Sequence, residues 1–182
     1  AAMEREVMEA AKVGFPAVVV NPTVLLGPFD SKPTSGTQIV MIAKGVMPGY
    51  IDGLVNVIDV RDVASGMICA AERGRVGERY ILGNWNTTQK ALNDLIAKVA
   101  DVNGPLVPVP FQLVRYGSKV GEWAFRNIFG IASPVPGFFV EMVRHIQHYD
   151  CSKAISELAY PRSPIEPAIR AALTWFRENR YV

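Results

Sequence analysis

The chain has 182 residues, 49% of them apolar and 20% charged, with a formal net charge of +2. That composition fits one ordinary globular domain, and the interspersed acids and bases leave no single-signed patch to recruit nucleic acid or a membrane surface. No apolar run approaches the ~18 to 20 residues needed to cross a bilayer, Cys69 and Cys151 lack the paired spacing of a metal knuckle, and nothing at the start reads as a secretion signal, so a reduced, cytoplasmic setting is expected.

The opening AAMEREVMEAAKVGFP keeps helical spacing through Met3, Val7 and Ala10 or Ala11 until Gly14 and Pro16 stop it. No Ser, Thr, Asp or Asn caps it before Met3, so the helix reads as one already under way and the chain as cut from something longer. Ala17 to Asn21, AVVVN, is a short β-branched run, the pattern of a strand covered on both faces in a parallel sheet. The Pro-, Gly- and Ser-rich PTVLLGPFDSKPTSG has no period, and such a loop after a buried strand is where α/β proteins place ligand contacts. Thr37 to Lys44 reads as helix, and Leu54 to Val60, LVNVIDV, as a second strand. Asp62 takes the cap position of a helix patterned by Val63, Met67 and Ala70 and closed by Gly74.

ERYILG is a brief strand, and TTQKALNDLIAKVADVNG a capped helix with Leu92, Leu95, Ile96 and Val99 on one face. Phe111 to about Phe129 is helix-like, SPVPG interrupts, and a further helical run reaches His148. Ser163, Pro164 and Glu166 compose a Ser-x-x-Glu box with Pro at the first helical position, ahead of an apolar stripe of Ile165, Ile169, Ala172, Leu173 and Phe176. There is no internal repeat or low-complexity segment.

Tyr149 and Lys153, in HYDCSKAISELAYP, stand four apart. A lysine one helical turn from a phenol can bring it from ~10 to about 7, a change of roughly 4 kcal/mol, and so fit it for proton transfer. Any helix carrying both residue types shows that spacing by chance, and Tyr116 with Lys119 are three apart rather than four. His145 and His148 have a spacing that can hold a metal, but no Cys, Asp or Glu is arranged with them. Met41, Met47, Met67 and Met142 read as packing residues. Trp123, Phe125 and Phe129 read as core, or as a cover over a substrate cleft. No Gly-x-Gly-x-x-Gly turn follows a strand.

Three segments in order resemble the extended short-chain dehydrogenase/reductases, in particular the second half of dihydroflavonol-reductase-like and hopanoid-associated sugar-epimerase-like members. They are VVVNPTVLLGPFD, NVIDVRDVASGMICAAERGRVGERYILG and CSKAISELAYPRSPIEPAIRAALTWF, and the match runs over nearly the whole chain. The resemblance implies an α/β fold: the later part of a doubly wound parallel sheet, mainly residues 1–83, and a small, mainly helical substrate-binding lobe, mainly 84–182. It makes Lys153 a structural lysine of a C-terminal docking segment and puts the family's own Tyr-x-x-x-Lys pair immediately upstream of Ala1, so this chain holds no catalytic residue.

The resemblance further implies that the backbone around Pro22, Thr23 and Val24 faces the nicotinamide of NAD or NADP, and that Asn21 or the loop to Asp30, including Gly27, faces a small-molecule substrate. Tyr50 and Ile51 are candidates to line that pocket. Arg61 is a candidate partner for a substrate anion, or a solvated side chain. Members handling nucleotide sugars often carry an arginine near the place of Val55, which turns the expectation toward a smaller or more apolar carbonyl or alcohol substrate. The expected activity is NAD(P)-linked reduction in a parent protein whose N-terminal half completes this chain. Alternatives are nucleotide-sugar epimerisation or dehydration, and a non-catalytic dinucleotide-sensing or interaction module. The family commonly dimerises through the helix ending at Lys12, which makes a homodimer an expectation too.

Overall fold

In the computed structural model, residues 2–47, 49–104, 107–114, 116 and 148–182 are described. Their elements are α1 (Ala2–Lys12), β1 (Val19–Pro22), β2 (Val24–Leu26), α2 (Gly36–Ala43), β3 (Leu54–Asp59), α3 (Val60–Arg73), β4 (Arg79–Leu82), β5 (Trp85–Thr88), α4 (Gln89–Ala100), α5 (Ser152–Leu158) and α6 (Ile165–Glu178). The α/β class expected from the sequence is the one observed. None of these helices is long and apolar enough to cross a membrane.

The strands form two sheets. β1 pairs in parallel with β4, Val19 opposite Arg79 and Pro22 opposite Leu82. β2 pairs in parallel with β3, and β3 in antiparallel with β5. The chain changes sheet three times: directly at Thr23 and at Gly83–Asn84, and through α3 between β3 and β4. The alternation of β3 serves both sheets: Val55 and Val57 enter a core with Leu26, Ile39, Leu92, Ile169 and Phe176, while Ile58 joins Tyr80, Leu82, Leu158 and Tyr160 in a second. Leu92 and Ile96 of α4 are fully buried, and Leu95 and Val99 pack beside them, as the apolar stripe predicts.

Four expectations are corrected. β3 ends one residue early and α3 begins at Val60, because the carboxylate of Asp59, not Asp62, caps the helix by accepting from Arg61 N at 2.8 Å. Asp62, only 4% exposed, instead accepts from Ser163 N at 2.5 Å and Ser163 Oγ at 2.9 Å. That takes the hydroxyl away from α6, whose cap position falls on Pro164 without a side-chain bond, while Glu166 pairs with Lys98 and Arg170. Met67 is 52% exposed rather than packed, because Val63, Gly66, Cys69 and Ala70 make the buried face of α3. Finally, β1 is not covered on both faces: Val19 and Val20 are half-buried, Asn21 and Pro22 exposed, and among the described residues its edge away from β4 is unpaired.

The helix expected from Phe111 is described only at residues 111–114 and 116. Lys119, Trp123, Phe125, Phe129, Met142, His145 and the helical run leading to His148 lie outside the described residues, as does Ala1.

α5 is pinned to β4 by charge. Lys153 Nζ donates to Glu78 at 2.5 Å and to the Arg79 carbonyl at 3.0 Å, and sits 4.7 Å from the centre of the Tyr80 ring. The Tyr80 hydroxyl donates to Glu157 at 2.5 Å, and Arg75 pairs with the same carboxylate. The Tyr80 hydroxyl and then Arg75 hold Glu157 below the usual carboxylate range, and Lys153 does so for Glu78. A carboxylate with a lowered folded pKa contributes stability that is complete above its unfolded value and is lost as pH falls through the folded one. Thermal melts should therefore show stability declining as pH drops below about 4.3, with Glu157→Gln flattening that decline. An unchanged slope in the variant would remove Glu157 from the account.

Candidate functional site

In open α/β sheets, ligands meet the carboxyl ends of the strands, where the loops diverge. β1 and β4 end side by side, so Thr23 and Gly83–Asn84 come together there. Thr23 N donates to Leu82 O at 3.0 Å, and Thr23 Oγ1 to Asn56 Oδ1 at 2.7 Å. Asn84 N donates to that same oxygen at 3.2 Å. Asn56 Nδ2 passes a bond on to Asn86 Oδ1 at 2.6 Å, and Asn86 Nδ2 donates to the Tyr149 carbonyl at 2.9 Å. A relay of amides thus runs from the sheet switch to the segment that opens α5.

Gly83 is required in this packing. A Cβ there would overlap Asn56 Oδ1 and stand 2.8 Å from Cys151 Sγ. The buried Tyr160 hydroxyl closes the turn, accepting from Gly83 N at 3.2 Å and donating to Gly83 O at 2.5 Å.

Beside the relay lies a cleft of about 400 Å³, lined by Asn56, Asn84, Asn86, His148, Tyr149, Asp150, Cys151, Ser152 and Ile155. Burial pushes the Cys151 thiol up, so it stays protonated and is a poor nucleophile. Bonds from Ser152 hold Asp150 below the usual carboxylate range. His148 Nε2 lies 2.9 Å from the Thr87 carbonyl, and because a carbonyl only accepts, that nitrogen carries the hydrogen.

The residues singled out from the sequence divide among several places. Pro22 is exposed at the end of β1, and Thr23 is at the sheet switch with its N–H and hydroxyl both engaged. Val24 packs against the first core. Asn21 lines a different cavity, of about 430 Å³, with Met8, Glu78, Arg79, Ile81 and Lys153. Gly27, at φ 153°, has no room for a Cβ, which would overlap Val60 and stand 3.6 Å from Asp59 Oδ1. Arg61 is 56% exposed, but Asp59 holds its guanidinium with Nε at 3.0 and 3.1 Å and Nη2 at 2.5 Å. Gly27 and Arg61 therefore meet around Asp59, away from the cleft. Tyr50 is buried and tied to the 107–109 segment, donating to Val107 O and accepting from Val109 N.

Tyr149 and Lys153 do not act as a pair: the lysine belongs to Glu78 and β4, and the Tyr149 backbone to Asn86. Among the described residues no three His, Cys, Asp or Glu side chains are grouped to hold a metal ion. The sequence reading missed the amide relay and the place of His148 in the cleft. One signal was available: Asn56 interrupts an otherwise apolar strand, and a polar residue at a buried position calls for partners.

With that geometry established, the relatives are informative. The chain is 36% identical to the putative dihydroflavonol 4-reductase of Synechocystis sp., over 98% of its own length and 53% of the relative's. It matches the crystal structure of a nucleoside-diphosphate-sugar epimerase from Pseudomonas aeruginosa at a TM-score of 0.81 and 30% identity, covering 99% of this chain and 54% of that one. The same fold recurs in RMD from Pseudomonas aeruginosa complexed with NADPH, at TM-score 0.64 and 16% identity over 97% of this chain and 53% of that one. It recurs again in WbmF from Bordetella bronchiseptica in complex with NAD+, at TM-score 0.65 and 19% identity over 97% and 50%. No protein-family model matches. The chain spans about half the length of the curated relatives it matches. On its identity over nearly every residue and its shared fold, the chain belongs to the extended short-chain dehydrogenase/reductases.

Proposed function

We propose that this chain is the substrate-binding half of an NAD(P)-dependent oxidoreductase acting on a carbonyl or alcohol carbon. The observation that carries the reading is that β1 and β4 end side by side, with Pro22 exposed there and Thr23 bonded to Asn56, one of the amides lining the neighbouring cleft. The likeness to a protein named dihydroflavonol 4-reductase supports the reaction class.

The residues present fit one end of a dinucleotide. Pro22 is exposed and offers a surface against which a nicotinamide can lie, while Thr23, held by Leu82 and Asn56, and Val24, held by the core, keep that backbone in place. The chain has no Gly-x-Gly-x-x-Gly turn for the pyrophosphate. We assign that turn and the Tyr-x-x-x-Lys pair to the N-terminal half of a longer protein. When bound, NAD(P) supplies or takes up hydride, and the part of this chain is to orient the carbon that exchanges it. The apolar residues Met3 and Val7, exposed along α1, are available for a homodimer contact in that protein.

A second reading, sugar-nucleotide epimerisation, is favoured by the 30% identity to the Pseudomonas aeruginosa protein named for that activity. The two differ in net redox change, because an epimerase returns its hydride each cycle. The test is absorbance at 340 nm with the 182-residue chain and with the longer protein, after their intact masses are measured. Consumption of NAD(P)H with carbonyl substrates by the longer protein, and none by the chain alone, is the expected result. Substrate interconversion without net consumption would move the assignment to epimerisation, and turnover by the chain alone would overturn the division of labour proposed here. A longer protein that lacked the tyrosine–lysine pair and turned nothing over would be a binding module.

A further inference from the structure

We infer that Tyr149 is a specificity-determining residue of the cleft: its backbone is fixed by Asn86, and its phenol is left to receive a ring-bearing carbonyl or alcohol. The inference rests on the reading of this chain as a substrate-binding half and deepens it by naming a residue and a substrate class.

The segment beside the cleft is held from β5. Asn86 Nδ2 donates to the Tyr149 carbonyl at 2.9 Å and Asn86 Oδ1 accepts from Tyr149 N at 3.1 Å, so one carboxamide takes both backbone groups of one residue. That closes a two-bond ring of the kind found between antiparallel strands, and it fixes the backbone without using the tyrosine side chain. On either side, His148 Nε2 lies on the Thr87 carbonyl and Asp150 accepts from Ser152 N at 2.9 Å, so the neighbours spend their side chains where Tyr149 spends its main chain. The same Asn86 oxygen accepts from Asn56 Nδ2 at 2.6 Å, and Asn56 Oδ1 accepts from Thr23 Oγ1 at 2.7 Å. Successive links through Asn56 and Asn86 thus set Tyr149 at a defined place relative to Thr23, whose backbone is proposed to face the nicotinamide.

The phenol itself is uncommitted. Tyr80, Tyr160 and Tyr181 give their hydroxyls to Glu157, Gly83 O and Ser31 O, whereas the half-buried Tyr149 makes no side-chain hydrogen bond or ring contact among the described residues. A tyrosine hydroxyl taken out of water usually finds a partner. Lys153, one turn on, is not that partner, because it is committed to Glu78 and the Arg79 carbonyl. Tyr149 lines the cleft, and with Ile155 it supplies apolar surface among residues that otherwise carry polar or thiol side chains. A phenol combines a flat apolar face with an O–H that both donates and accepts, and it has few side-chain torsions to order on binding. The group it matches is a ring carrying a carbonyl or hydroxyl, and a cleft of about 400 Å³ lies within the range of ligand sites.

The experiment is a titration of the isotope-labelled 182-residue chain followed by amide ¹H–¹⁵N spectra, with acetophenone as the ring-bearing carbonyl and acetone as the carbonyl without a ring. Acetophenone is expected to move the amides of Asn86 and of Tyr149 to Ser152 at roughly millimolar concentration, as befits a small fragment, and acetone to bind about tenfold more weakly for want of the ring contact. Tyr149→Phe, which keeps the ring and loses the hydroxyl, should weaken acetophenone about fivefold, the effect of one hydrogen bond. Tyr149→Leu, which loses the aromatic face as well, should bring acetophenone to the level of acetone. Asn86 bonds only the main chain of Tyr149, so unmoved Asn86 side-chain signals in both variants show that the segment stays in place. No movement with acetophenone, acetone binding as tightly as acetophenone, or affinity indifferent to both substitutions would each overturn the inference. These outcomes are separate from those at 340 nm: carbonyl turnover by the longer protein with acetophenone binding indifferent to Tyr149 rejects only this role of Tyr149, and Tyr149-dependent binding without turnover rejects only the oxidoreductase.

Discussion

One carboxamide holds this fold at its most exacting point. Asn56 is 1% exposed in the middle of β3, and its oxygen accepts from Thr23 and Asn84, at the two places where the chain passes directly from a strand of one sheet to a strand of the other. Its nitrogen donates to Asn86 on β5. A buried amide is costly unless satisfied and valuable when it is, because its bonds are made in low dielectric without competing water. The geometry of the carboxyl ends of β1 and β4, and with it the cleft, depends on this residue finding all three partners.

The rest of the framework keeps that point in place from two sides. Val55 and Val57 anchor β3 among α2, α4 and α6, while Ile58 anchors it among β4, α3 and α5. Asp59 ends β3 by capping α3, and the same carboxylate takes the Arg61 guanidinium. Asp62 carries the connection on to Ser163 and thereby sets where α6 enters. Charge enters mainly as positioning: the Lys153, Glu78, Tyr80, Glu157 and Arg75 contacts join α5 to β4, so that the segment from His148 to Ser152 arrives against Asn86.

This arrangement separates two kinds of residue that look alike in the chain. Arg61 and Gly27 have the types expected of ligand contacts, yet one is engaged by Asp59 and the other is small because Val60 stands against it. His148, unremarkable in its own segment, reaches the cleft because Thr87 holds it. A side chain's capacity for chemistry is what its neighbours leave unspent.

The sequence by itself determined the α/β class, the order α1, β1, α2, β3, α3, β4 and α4, and the buried stripe of α4, because periodicity and turn chemistry act over a few residues. It did not show β2, which lies in the stretch expected to be irregular loop, or β5, a short strand that depends on pairing with β3. The residues alone showed only a break at Asn21 and Pro22 after a β-branched run; it was the family resemblance that singled out Pro22, Thr23 and Val24. Only the tertiary structure decided which aspartate caps α3, because Asp59 and Asp62 lie one turn apart and the choice depends on where β3 stops pairing with β2 and β5. It decided too that Ser163 serves Asp62, 101 residues away, rather than the helix it precedes. The cleft lay beyond local reading for the same reason: Asn56, Asn86 and Tyr149 are joined across 30 and 63 residues, and which polar groups remain unspent is settled only when distant segments have satisfied the others.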